Sequence, residues 1–155
     1  MEELDSVEVA KAVIAEAQRA GIKINMTQLQ KLLFIIYGTS LAILNRKPFN
    51  ENAQAWPYGP VFPRTRRDLL ETVSKWPHIE YPQNIPADLQ DIISGVIYHF
   101  GKWSTFQLIT WSHTPGSPWE ITTKMPNFNW GTEIGNGLIK DYFLKIAFRS
   151  ENDGN

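Results

Sequence analysis

Three histidines, no cysteine and a scatter of serines bound the chemistry that this chain can do. His78, His99 and His113 lie far apart and form no HxH or HExxH spacing, so they do not compose a metal site. Without cysteine there is neither a disulfide nor a thiolate ligand. No serine occupies a GxSxG elbow. Ser112 and His113 are adjacent, but successive residues on a helix do not face one another. Ser104 and Ser117 stand where helix caps belong. His113 with Glu120 is the pair that a small hydrolase or transferase would use, and it is the weaker alternative. The run Gly131-Thr132-Glu133-Ile134-Gly135-Asn136-Gly137 lacks the preceding strand and the Lys-Ser/Thr ending of a phosphate loop. The reading is a protein that is not an enzyme, with no metal and no cofactor.

Binding chemistry is better represented. The stretch Ala55-Trp56-Pro57-Tyr58-Gly59-Pro60-Val61-Phe62-Pro63 concentrates prolines and aromatics around one glycine. Pro57 and Pro60 fix their own φ and bias the residues before them toward extended geometry. Gly59 supplies whatever positive φ the turn between them needs. Trp56 and Tyr58 are thereby held at defined angles. Two readings remain open: Trp56 and Val61 plug the core, or the segment is a docking platform with little entropy left to lose on binding. Downstream, Arg64 and Arg67 are neighbours at i and i+3 on a helix, whereas Arg66 points elsewhere. Asp68 and Glu71 can pair with these arginines, making either a solvated charged face or an anchor for an acidic partner protein.

The elements that must position these residues are mostly helical. Asp5 and Glu8 read as a cap before the apolar face Val9, Ala10, Val13, Ile14 and Ala17, with Gly21 as the stop. Asn25 or Thr27 opens a second helix that runs to about Asn45. Its stripe is Leu29, Leu32, Leu33, Ile36, Ser40, Leu41 and Leu44, and the off-stripe Ile35 implies cover on more than one side. Pro63 begins a third helix, Arg64 to about Lys75. Weak alternation at 52–56 and at 78–81 predicts a small two-stranded ribbon flanking it. Pro86 starts a fourth helix with Leu89, Ile92, Ile93, Val96, Ile97 and Phe100 inward, ended by Gly101. Ser104 with Gln107 and Ser117 with Glu120 cap two short helices. A loop over 124–131 precedes a last helix led by Thr132, with Ile134, Leu138, Tyr142, Phe143 and Ile146 inward. The expected fold class is mainly α: a single compact helical domain of about six helices with at most a small two-stranded β element.

Size and charge fit that architecture. A chain of 155 residues makes one domain, read here as 1–150 with a polar tail at 151–155. A net charge of −1 disfavours a nucleic-acid partner, whose binders are strongly basic. The acidic, amphipathic start does not read as a signal peptide, and no run reaches the ~18 apolar residues of a membrane span. The expectation is a cytoplasmic protein with no membrane partner.

Four motifs in order carry a resemblance. They are MTQLQKLLFIIYG (26–38), AWPYGPVFP (55–63), TWSHTPGSPW (110–119) and IKDYF (139–143). Together they resemble the Panacea domain, the antitoxin domain of SocA-like and phage-associated proteins. Leu29-Gln30-Lys31-Leu32-Leu33-Phe34 fits its first helix. Ala55-Trp56 with Tyr58-Gly59-Pro60-Val61 fits its aromatic turn. His113 with Pro118-Trp119 fits its third motif, and Tyr142-Phe143 its last. Ser112 departs from the pattern, where threonine is expected. Many relatives carry an extra domain, for which this chain has no room. The resemblance implies a type II antitoxin that binds a cognate protein toxin encoded by the adjacent gene. Toxins of the family include toxic small alarmone synthetases, and SocA-like members resemble adaptors that deliver the toxin to a protease. The partner-binding residues expected on this reading are Trp56, Tyr58, Pro60, Phe62, Arg64 and Arg67, with His113 and Trp119 beside them or holding them in place.

Overall fold

The computed structural model describes residues 3–153, and the side chains of 3–146. Within these bounds the chain folds into seven α-helices and one β-hairpin. They are α1 (Ser6–Arg19), α2 (Met26–Thr39), β1 (Gln54–Trp56), β2 (Gly59–Val61), α3 (Pro63–Leu70), α4 (Ala87–Phe100), α5 (Thr105–Ser112), α6 (Pro118–Thr123) and α7 (Asn136–Asp153). The mainly α expectation with a small β element holds.

α2 is the axle of the fold. Asn25 rather than Thr27 caps it: Asn25 Oδ1 accepts from the Gln28 N–H and Gln28 Oε1 accepts from the Asn25 N–H, each at 2.8 Å. Every residue from Leu29 to Gly38 is then buried, so the helix is covered all round and Ile35 is core as expected. α1, α4, α5, α7 and the hairpin pack around it. The helix widens into one π turn at Ser40–Leu44 and stops at Asn45, which takes the left-handed φ of 56°. By length and composition Met26–Leu44 could cross a membrane, but it is the core helix here, with 67% of its most apolar window buried.

Two contacts set how closely the other elements approach. A Cβ on Gly38 would stand 2.2 Å from the Phe143 ring, so glycine is what lets α7 lie against α2. Phe143 meets Phe34 edge-on at 5.9 Å. On the other flank Tyr37, Phe49 and Phe62 form a closed trio with centroids 4.9–5.4 Å apart. The Tyr37 hydroxyl donates to Asn136 Oδ1 at 2.7 Å, which ties the start of α7 to the axle.

Several expectations are corrected. The ribbon does not join 52–56 to 78–81. It is a tight antiparallel hairpin, β1 against β2, inside the proline-rich stretch itself. Val73–His78 is instead a 3₁₀ turn containing Pro77, so α3 ends at Leu70 and not near Lys75. Thr132 does not lead the last helix. Gln54 bridges Glu133, adding a rudimentary third strand beside β1, and α7 starts at Asn136. The buried face of α7 is Ile139 and Phe143, while Leu138, Tyr142 and Ile146 are half-buried flanks.

Candidate functional site

The hairpin has an inner and an outer face, and each is built differently. Register pairs Gln54 with Val61, Ala55 with Pro60 and Trp56 with Gly59. The Ala55 N–H donates to the Thr132 carbonyl and its own carbonyl accepts from the Gly131 N–H, both at 2.9 Å. Ala55 therefore asks no donor of Pro60, which is why a proline is tolerated in β2. The Pro60 carbonyl points inward and accepts from Lys31 Nζ at 2.9 Å. The Phe62 N–H donates to Gln30 Oε1 at 2.7 Å. Gln30 and Lys31, both buried on α2, thus hold two backbone groups of the chain leaving the turn.

Gly59 is required between them. Its φ is +112°, and an added Cβ would lie 2.5 Å from Ser112 Oγ and 2.8 Å from Lys31 Cε. Hairpin, α2 and α5 meet at this point. Lys31 is 1% exposed, and burial pulls its ammonium down to about 7. His113, the C-cap of α5, is also held below its ordinary value, first by burial and then by the Lys31 charge. The neutral imidazole this favours lies flat on Trp119, with centroids 3.7 Å apart and planes 4° from parallel.

Trp119 carries the frame to the outer face. Its Nε1 donates to the Trp56 carbonyl at 2.7 Å. Trp130 lies near the Trp119 ring, at 6.3 Å and 28° from parallel, and Phe128 meets Trp130 edge-on at 5.0 Å. Trp56 Nε1 donates to Gln54 Oε1 at 3.0 Å, and the Arg66 guanidinium lies over the Trp56 ring at 5.5 Å. Outermost are Tyr58 and Trp130, 69% and 57% exposed. An open slot is lined by Trp56, Trp130, Pro57, Gln54 and Gly131.

Of the residues expected at the site, Trp56, Tyr58, His113 and Trp119 come together around the turn. Pro60 is buried and Phe62 is 0% exposed within the aromatic core, so both support the platform from beneath. Arg64 lies against α1, paired with Asp5 at 2.7 Å, and Glu51 accepts from its backbone N–H at 2.6 Å. Arg67 is exposed on α3 and pairs with Asp68 at 3.2 Å. Glu71 takes no part in these pairs. Two residues at the outer face escaped the sequence reading: Trp130, in a loop with no period to read, and Arg66, set apart by helical spacing. Two aromatics, Phe128 and Trp130, beside a glycine in a loop were the available signal.

The alternative dyad does not assemble. Glu120 is engaged by Lys124 and by the Gly116 N–H, while His113 Nε2 has no hydrogen-bond partner among the described residues. Among the described residues no cluster of His, Asp or Glu could hold a metal ion.

Residues 29–120 match the family described as Antitoxin SocA-like, Panacea domain. That span runs from α2 through the hairpin to the first turn of α6, and so contains Lys31, Gly59, His113 and Trp119. The chain is also similar to Antitoxin SocA of Caulobacter vibrioides (strain NA1000 / CB15N), 29% identical over 160 residues that cover 94% of this chain and 83% of that protein. No solved structure matches it. With more than half of its length matched in order, the chain belongs to the SocA-like Panacea-domain family of antitoxins.

Proposed function

We propose that this protein neutralises a cognate protein toxin in the cytoplasm by binding it one-to-one, without turnover, through the outer face of the hairpin. One observation carries the reading beyond family membership. Large aromatics stand exposed, at Tyr58 and Trp130, on a frame in which side chains hold the Trp56 and Pro60 carbonyls and the Phe62 N–H. Tryptophan, tyrosine and arginine dominate the energetics of protein interfaces. A frame already rigid loses less entropy when a partner docks. Arg67, on the neighbouring helix, extends the surface.

The test is expression of the adjacent gene with and without this protein, followed by isolation of the pair. Relief of toxicity together with a stable one-to-one complex is expected. Relief without a complex, and only in cells that hold an ATP-dependent protease, would replace occlusion with delivery of the toxin for degradation. Relief at substoichiometric protein, lost in His113→Ala, would replace it with catalysis.

A further inference from the structure

Among the arginines with described side chains, pairing separates one from the rest. Arg19 pairs with Glu16, Arg46 with Asp88, Arg64 with Asp5 and Arg67 with Asp68. Arg66 has no carboxylate within ion-pair distance among the described residues, and lies instead across the Trp56 ring. It is half-buried, and the Trp56 ring it covers is one of the walls lining the slot that also takes in Trp130. A guanidinium stacked on an indole keeps its in-plane N–H donors free, and that fork matches a carboxylate. The slot's lining includes two tryptophans and a glycine, Gly131. It takes a flat or narrow apolar side chain on an extended backbone.

Resting on the toxin-binding reading above, we infer that the slot receives an extended acidic segment of the toxin, with a carboxylate on Arg66 and an adjacent apolar side chain between Trp56 and Trp130. A nucleic-acid strand would use the same stacking and the same arginine. It is disfavoured because the nearby cations Arg64, Arg67 and Lys124 are already paired with carboxylates, which leaves no track of positive charge for a phosphate backbone. The net charge of −1 agrees.

The experiment measures affinity for the toxin of the adjacent gene over a salt series, using the wild type, Arg66→Lys, Arg66→Gln, Arg66→Glu and the double variant Tyr58→Ala/Trp130→Ala. Arg66 has no ion pair among the described residues, so its variants lose only the contact with the Trp56 ring and are expected to melt within a few degrees of the wild type. Affinity should fall about tenfold or more in Arg66→Gln and further in Arg66→Glu. Arg66→Lys should retain part of the affinity, keeping the charge and losing the planar fork. The salt slope should flatten in Arg66→Gln. Binding lost in the aromatic double variant but unchanged in Arg66→Gln and Arg66→Glu would overturn the acidic-segment inference and leave the toxin-binding face standing. Binding unchanged in every variant, or absent in the wild type, would remove the reading on which the inference rests. Tight binding of a short single-stranded oligonucleotide with a steep salt slope would overturn it in favour of nucleic acid.

Discussion

The two faces of the hairpin use one short stretch of chain for opposite ends. On the inner face, Gly59, Pro60 and Phe62 are buried, and the backbone groups that leave the turn are met by Lys31 and Gln30 from α2. On the outer face, Tyr58 stands in solvent and Trp56 offers one side of its ring to Arg66. Inside, a cation satisfies a carbonyl at the cost of its own hydration. Outside, a cation is left without a carboxylate. On the proposed function, stability is concentrated on the first face and binding on the second, so substitutions should separate the two.

The largest effect is expected on the inner face. Phe62→Ala empties the centre of the trio with Tyr37 and Phe49 and should cost about 3–5 kcal/mol in denaturant unfolding. Gly59→Ala combines a disfavoured positive φ with collision against Ser112 and Lys31, and should cost about 2–4 kcal/mol by the same measurement.

Lys31 is next, and its signature is a pH dependence. Its folded pKa is pulled down to about 7 from the ordinary value of 10.5, so between those limits the unfolded chain binds the extra proton. Stability from this group therefore rises as pH climbs from 7. Below 7 both states are protonated and its contribution is flat. The rise should be read below about pH 10, because burial raises the Tyr37 hydroxyl and unfolded tyrosines ionise from there upward, which lowers stability. Lys31→Met should flatten the rise seen in thermal melts. His113 acts in a separate window: its folded pKa is lowered, so stability should fall as pH drops below its unfolded value of about 6.5. The outer face gives the smallest change in stability. Tyr58→Ala should shift unfolding by no more than about 0.5 kcal/mol.

These contrasts also show what a sequence can disclose. The caps at Asp5, Asn25, Ser104 and Ser117 were legible because a cap is a local contract between a side chain and a backbone amide two or three residues on. The axle helix was legible because its apolar residues outnumber what one stripe can hold. The hairpin pairing was not, because Pro60 argues against a strand until its partner Ala55 is seen bonding the other way. The split between Phe62 inside and Tyr58 outside was equally hidden: both are aromatics in one rigid stretch, and only the buried Lys31 and Gln30 decide which side faces in. In the sequence Gln30 offered a capping partner and both residues fitted the family's first-helix motif, but nothing local reveals that they are buried and hold the hairpin's backbone. Trp130 joins the site through long-range stacking on Trp119, which no periodicity announces.

The most direct test of the account is the affinity of the double variant Tyr58→Ala/Trp130→Ala for the toxin, measured beside its melting temperature. The account predicts a cooperative melt lowered by no more than a few degrees, from the lost Trp130 ring contacts, with affinity reduced about tenfold or more. The same melt with undiminished affinity would contradict it and move the binding surface off the hairpin.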